Sequence, residues 1–180
     1  MNLRMPAALL VASFVLVPLA GRAATAEETD ARVRGALGEL YKTSAAAKEL
    51  AARARGTLVF PRVIKGGLGI GAGYGKGALL VGEHTVAYYN IASASVGFQL
   101  GVQEQSVVLL FMTDAALAKF RDGKGWKAGV NGSVAIANFG AGESIDTETA
   151  RKPIVGFVFS NKGLMYNLAL EGAKITRLRQ

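Results

Sequence analysis

Between residues 67 and 77 every second residue is glycine: Gly67, Gly69, Gly71, Gly73, Gly75 and Gly77, separated by Leu68, Ile70, Ala72, Tyr74 and Lys76. A period of two belongs to a strand, whose alternate residues face opposite sides. This strand would carry one apolar face and one face with no side chains. A bare face lets something approach the backbone closely, or lets the sheet bend sharply.

The flanking segments extend the β reading. Thr57 to Ile64 is apolar and β-branched, and His84 to Ile91, Ala92 to Gly101 and Ser106 to Met112 read as strands, with turns at Gly82-Glu83 and Glu104-Gln105. Thr113-Asp114 caps a short helix through Phe120, Asp122 to Gly125 is a loop, and Val130 to Ala137 is another strand. Ala141 to Lys152 reads as an exposed loop. Ile154 to Phe159 and Leu164 to Leu170 form a hairpin around Ser160-Asn161-Lys162-Gly163, and Ala173 to Leu178 closes the sheet.

Upstream of Gly56 the period is that of a helix. Val33, Leu37, Leu40, Tyr41, Ala47, Ala51 and Ala54 recur at three- and four-residue spacing in a stretch without proline. Thr29 or Asp30 is the expected N-cap and Gly56 the expected end, while Gly35 and Gly38 weaken the middle, leaving one helix or two. The fold class is therefore α+β and β-dominated: a curved antiparallel sheet or sandwich, an N-terminal amphipathic helix over one side and one short internal helix.

Residues 1–26 have the three zones of an export signal. Arg4 is the positive zone, Ala7 to Ala20 is apolar, and Ala24-Thr25-Ala26 has the small-x-small pattern of a cleavage site, with Gly21-Arg22-Ala23 as an alternative. The apolar stretch is shorter than the roughly 20 residues that span a bilayer. Export to a bacterial periplasm follows, with residues 27–180 as one domain. The chain has no cysteine, which excludes disulfides, thiol nucleophiles, thiolate metal sites and a lipidated cysteine anchor, so the mature protein is expected to be soluble. Its net charge is +8, of which Arg4 and Arg22 leave with the signal. The remaining excess suits anionic head groups or acidic envelope polymers, and nucleic acid is not expected as a partner in that compartment.

Motifs for chemistry are weak. Gly67-x-Gly69-x-x-Ala72 fits the loose dinucleotide pattern, but the glycines continue with period two instead of opening a helix. His84 is the one histidine, no serine sits in a Gly-x-Ser-x-Gly elbow, and Ser44 and Lys48 lack the companion motifs of a serine–lysine hydrolase. Glu143, Asp146 and Glu148 do not form a full calcium loop. No catalytic residue, metal site or cofactor is expected. The constellation with a plausible partner is basic: Arg53, Arg55, Arg62 and Lys65 bracket the junction of helix and first strand, with Leu58, Val59 and Phe60 beside them. Cations mixed with apolar groups suit a membrane surface.

The order of blocks resembles the SYLF domain, also described as the yeast actin-binding Ysc type. The blocks are Gly56-Thr57-Leu58-Val59-Phe60-Pro61, Lys65 to Gly77, Ser95 to Gln103, Leu109 to Thr113, Ser160 to Leu164, and Leu170-Glu171-Gly172. Tyr88-Tyr89-Asn90 and Asn138-Phe139-Gly140 depart from the tryptophan–proline and Gly-Pro-x-Gly patterns common in that family. The resemblance implies membrane-lipid binding that involves an N-terminal helix and basic residues. For an exported member, the expectation is a non-enzymatic protein that recognises anionic phospholipid through Arg53, Arg55, Arg62, Lys65 and Phe60. The alternative is a structural or interaction module of the cell envelope whose glycine-lined face receives a partner protein's strand or packs in an oligomer.

Overall fold

In the computed structural model the described residues are 25–68, 70–96, 101–123, 125–128, 134–137, 147–160, 163–164, 170 and 172–179. The expected export signal lies outside them as far as residue 24, as do the first half of the strand expected over Val130 to Ala137 and the loop acids Glu143 and Asp146.

Two helices open the fold, α1 (Ala26–Thr43) and α2 (Ala45–Arg53). The cap of α1 is Thr25 and not Thr29 or Asp30. Thr25 accepts from the Glu28 amide, and the Glu28 carboxylate accepts from the Thr25 amide, each at 3.2 Å. The break falls at Ser44 rather than at a glycine. Its amide donates to Leu40 O to end α1, while its hydroxyl accepts from Ala47 N at 3.1 Å to begin α2. The helical segment ends at Arg53 with Ala54 as its C-cap, and Gly56 already belongs to the first strand.

The strands are β1 (Gly56–Leu68), β2 (Ile70–Val81), β3 (His84–Val96), β4 (Gly101–Phe111), β5 (Trp126–Lys127), β6 (Ala135–Ile136), β7 (Ile154–Ser160), β8 (Gly163–Leu164) and β9 (Lys174–Arg177). They form a curled mixed sheet in the order β5-β9-β3-β2-β1-β4-β7-β6, with β8 on β7. Every pair is antiparallel except β6 with β7. Helices α3 (Asp114–Asp122), capped by Thr113 as expected, and α4 (Thr147–Ala150) complete the described elements.

Three sequence expectations change. The glycine run is not one strand but the end of β1 and the start of β2, paired back on each other from Leu68↔Ile70 outward. His84 to Ile91 and Ala92 onward form the single strand β3, and Glu104-Gln105 lies within β4 rather than at a turn. In the last two cases ladder pairing carries the backbone through the expected boundary: Ile91 and Ala92 pair with both β2 and β9, and Glu104 and Gln105 pair with β1.

Pro61 has no amide to give to the ladder and sits in a central strand. The chain accommodates it with a bulge: Val59 and Arg62 oppose Ala78 and Lys76, and Phe60 and Val63 oppose Val107 and Gln105, so β1 carries one extra residue against both neighbours. Before the bulge Leu58 and Phe60 face inward; after it Val63 and Lys65 do. The inner face is filled by Phe60, Leu79, Tyr89, Leu109, Phe111, Trp126 and Ile175, with Phe120 of α3 lying 4.8 Å from Phe111 and 5.0 Å from Tyr89. The outer face, Val59, Leu80, Val108, Leu110 and Phe157, is covered by Val33, Leu40, Ala47 and Leu50 of α1 and α2.

Candidate membrane-binding surface

The structure separates the residues that the sequence placed at one junction. Arg53 ends α2 and Arg55 precedes β1, both exposed. Arg55 pairs with Asp114 at 3.5 Å, an exposed contact of little energetic weight. Arg62 and Lys65 lie six and nine residues along β1 from Gly56, and a strand rises about 3.3 Å per residue. The two halves of the expected site are thus some 20 to 30 Å apart, by the same rise per residue. Phe60 is corrected more sharply: it is 0% exposed in the inner core, so its ring does not reach a membrane. The apolar stripe of the N-terminal helices is likewise used against the sheet.

Beyond the bulge the outer face of the sheet passes out from under the helices. There Ile64 stands directly opposite Tyr74 across β1 and β2, and Val102 on β4 is paired with Gly66, one outward-facing position further along. Ile64 is 41%, Tyr74 49% and Val102 78% exposed, and they lie on one diagonal across three adjacent strands. Their neighbours Ala72, Ala92 and Ala94 are exposed as well. Side chains that alternate with these face inward, so the patch is what period-two alternation leaves when no layer covers it.

Cations border this patch on its inner edge. Arg62 and Lys76 are directly paired across β1 and β2. The Arg62 guanidinium donates from Nε to Glu104 at 2.8 Å, the one acid on this part of the face among the described residues. Lys76 makes no ion pair with a described carboxylate. Lys65 faces inward, half-buried across Gly73, and burial holds its ammonium below the usual lysine range.

The glycines serve the fold. A Cβ on Gly73 would lie 2.9 Å from Lys65 Cγ, and one on Gly75 would lie 2.9 Å from Val63 Cγ2. On Gly77 it would meet the Val59 carbonyl. Over Gly73, Gly75 and Gly77 the bare face is therefore occupied by this chain's own bulged strand and its side chains.

Other concave places are less suited to a lipid. A groove of about 420 Å³ beside α1 is lined by Arg32 and Arg62 but equally by Glu39 and Glu104. A cavity of about 350 Å³ contains Asp30, Arg34, Glu83 and His84, again of mixed sign. Ser44 is spent as a cap, Lys48 is exposed, and His84 is exposed at the start of β3.

Residues 92–180 match the protein family described as "Ysc84: Las17-binding protein actin regulator". The match runs from the second half of β3 through β9 and includes the Ser95 to Gln103, Leu109 to Thr113, Ser160 to Leu164 and Leu170 to Gly172 blocks. The Gly56 to Pro61 and Lys65 to Gly77 blocks lie before it. No curated protein matches the chain.

Proposed function

We propose, from the premise that the chain carries a Ysc84-family (SYLF) domain over residues 92–180, that it is an exported, non-enzymatic protein of the bacterial periplasm that binds the surface of an anionic phospholipid membrane. The observation that carries this reading is the uncovered diagonal of Ile64, Tyr74 and Val102 with Arg62 and Lys76 beside it. Apolar side chains at the acyl boundary and cations at the phosphates are the two contributions that hold a protein on a lipid surface. Each cation near an anionic surface contributes about 1 kcal/mol, and the attraction falls off within a Debye length. Among the described residues no helix is long and apolar enough to cross a membrane.

On this reading the lipid contact lies on the outer face at the far end of β1 and β2, around Arg62 and Lys76; Lys65, which faces inward, and Arg53 and Arg55 take no part. Partner-strand binding on the glycine face is not favoured, because β1 already fills that face. The experiment is sedimentation of the chain with vesicles of neutral and of anionic lipid at low and high salt. The reading expects pelleting with anionic vesicles that weakens as salt rises; equal pelleting with neutral vesicles would overturn the charge selectivity.

A further inference from the structure

A cavity of about 770 Å³ opens between the C-terminal end of α3, the start of β3 and the residues that follow β9. Among the described residues its lining contains three arginines, Arg121, Arg177 and Arg179, and no carboxylate. We propose that this cavity is a binding site for a phosphate-type oxyanion, held by Arg121, Arg177 and Arg179.

The three arginines come from separate devices of the fold. Arg177 is the register partner of Tyr89 on β3, which fixes it at the rim of the inner face. Past the end of β9 the Leu178 amide still donates to Tyr88 O at 2.8 Å, so the chain stays extended and Arg179 follows on the same side as Arg177. Arg121 lies in the last turn of α3, one residue after Phe120, whose ring is 5.0 Å from that of Tyr89. Arg121 and Arg177 are both close enough to Tyr89 for their charge to act on its phenol, opposing the rise that burial produces. Two independent elements thus bring their guanidinium groups to one phenol.

A cation at a helix C-terminus is explained by the helix dipole alone, which accounts for Arg121. It does not account for Arg177 and Arg179. None of the three is ion-paired with a described carboxylate. Like charges gathered in one concavity repel, and an anion between them removes that cost. Guanidinium groups match phosphate oxygens through paired N–H donors, and a cavity of this size admits a phosphate ester as well as a free ion. The site is at the opposite end of the sheet from Ile64, Tyr74 and Val102, and stands independently of the membrane proposal.

The source of the phosphate is a soluble phosphorylated compound or a phosphomonoester lipid head group. Two arms separate them: thermal unfolding of the chain in pyrophosphate against chloride at equal ionic strength, and pelleting with neutral vesicles with and without phosphatidic acid. Each is run on the wild type, on Arg121→Gln/Arg177→Gln/Arg179→Gln and on Arg179→Gln alone, whose backbone lies outside the sheet. Saturating anion should raise the melting midpoint by several degrees, since ligand at about a hundred times Kd stabilises by RT ln(1 + [L]/Kd). A pyrophosphate-specific rise that both variants reduce supports the site with a soluble ligand. Pelleting that needs phosphatidic acid and is reduced in both variants supports it with a head group. Equal midpoints in pyrophosphate and chloride together with variant-independent pelleting overturn it, and so does a full response retained by Arg179→Gln and the triple variant.

Discussion

The carbonyl of Val59 occupies the place where a side chain on Gly77 would begin. The contact lies at the β1 bulge, where the register against β2 slips between Val59 and Arg62. Alanine at 77 would meet backbone that cannot rotate away, so Gly77→Ala should lose about 3 kcal/mol, the upper range for overpacking. At Gly35, in α1, an added Cβ meets nothing within 4 Å, and alanine there should gain up to about 1 kcal/mol from helix propensity. Urea unfolding of the two variants checks the contrast; equal effects would contradict it.

Asp30 ties α1 to the sheet by accepting hydrogen bonds from Thr85 and Tyr88, each at 3.0 Å. The Tyr88 phenol is raised above its ordinary pKa, first by burial and then by the Asp30 contact. A raised folded-state pKa gives stability that is fully present below the unfolded value, about 10, and is lost as pH rises through the folded one. Tyr88→Phe removes the hydrogen bond to Asp30 and should cost about 1 kcal/mol at neutral pH, and the difference from wild type should shrink above about pH 10. The buried phenols of Tyr41 and Tyr89 act in the same direction. Lys65, lowered by burial, acts in the opposite one, gaining stability as pH rises through its folded value. All three remain in both proteins, so chemical unfolding from pH 7 to 11 isolates Tyr88; a constant difference would contradict the assignment.

Gln105 stands opposite Val63 on the inner face, 2% exposed, with no hydrogen-bond partner for its Oε1. An unpaired buried carbonyl costs about 1 to 3 kcal/mol, so Gln105→Leu should be more stable than wild type by about 1 kcal/mol. A loss of stability on denaturant unfolding would contradict the orphaned acceptor.

Much of the architecture is legible in the order of residues. The change from a period of 3.6 to two at Gly56, the Gly82-Glu83 turn and the Thr113 cap all follow from local chemistry, and the structure has them in place. The Phe60 error has a specific origin. Sequence proximity and simple alternation both place this ring beside Arg62, two residues on, but the extra residue at Pro61 reverses the parity after it and leaves the ring inward and Arg62 outward. The pairing of Ile64 with Tyr74 and the approach of Val102 depend on register across β1, β2 and β4, which no single segment encodes. A signal was present nonetheless: Tyr74 and Lys76 alternate with glycines of the run, and Ile64 stands between the inward-facing Val63 and Lys65. The convergence of Arg121 with Arg177 spans more than fifty residues of chain and leaves no local trace.

The measurement that tests the account most directly is vesicle sedimentation of three proteins side by side: wild type, Ile64→Ser/Tyr74→Ser/Val102→Ser, and Arg53→Gln/Arg55→Gln. All five positions are exposed, so unchanged melting midpoints should accompany the comparison. The account expects the triple serine variant to lose most of its pelleting with anionic vesicles, while Arg53→Gln/Arg55→Gln pellets like wild type. Full pelleting of the triple variant, with loss in Arg53→Gln/Arg55→Gln, would contradict it and return the membrane contact to the junction of helix and strand.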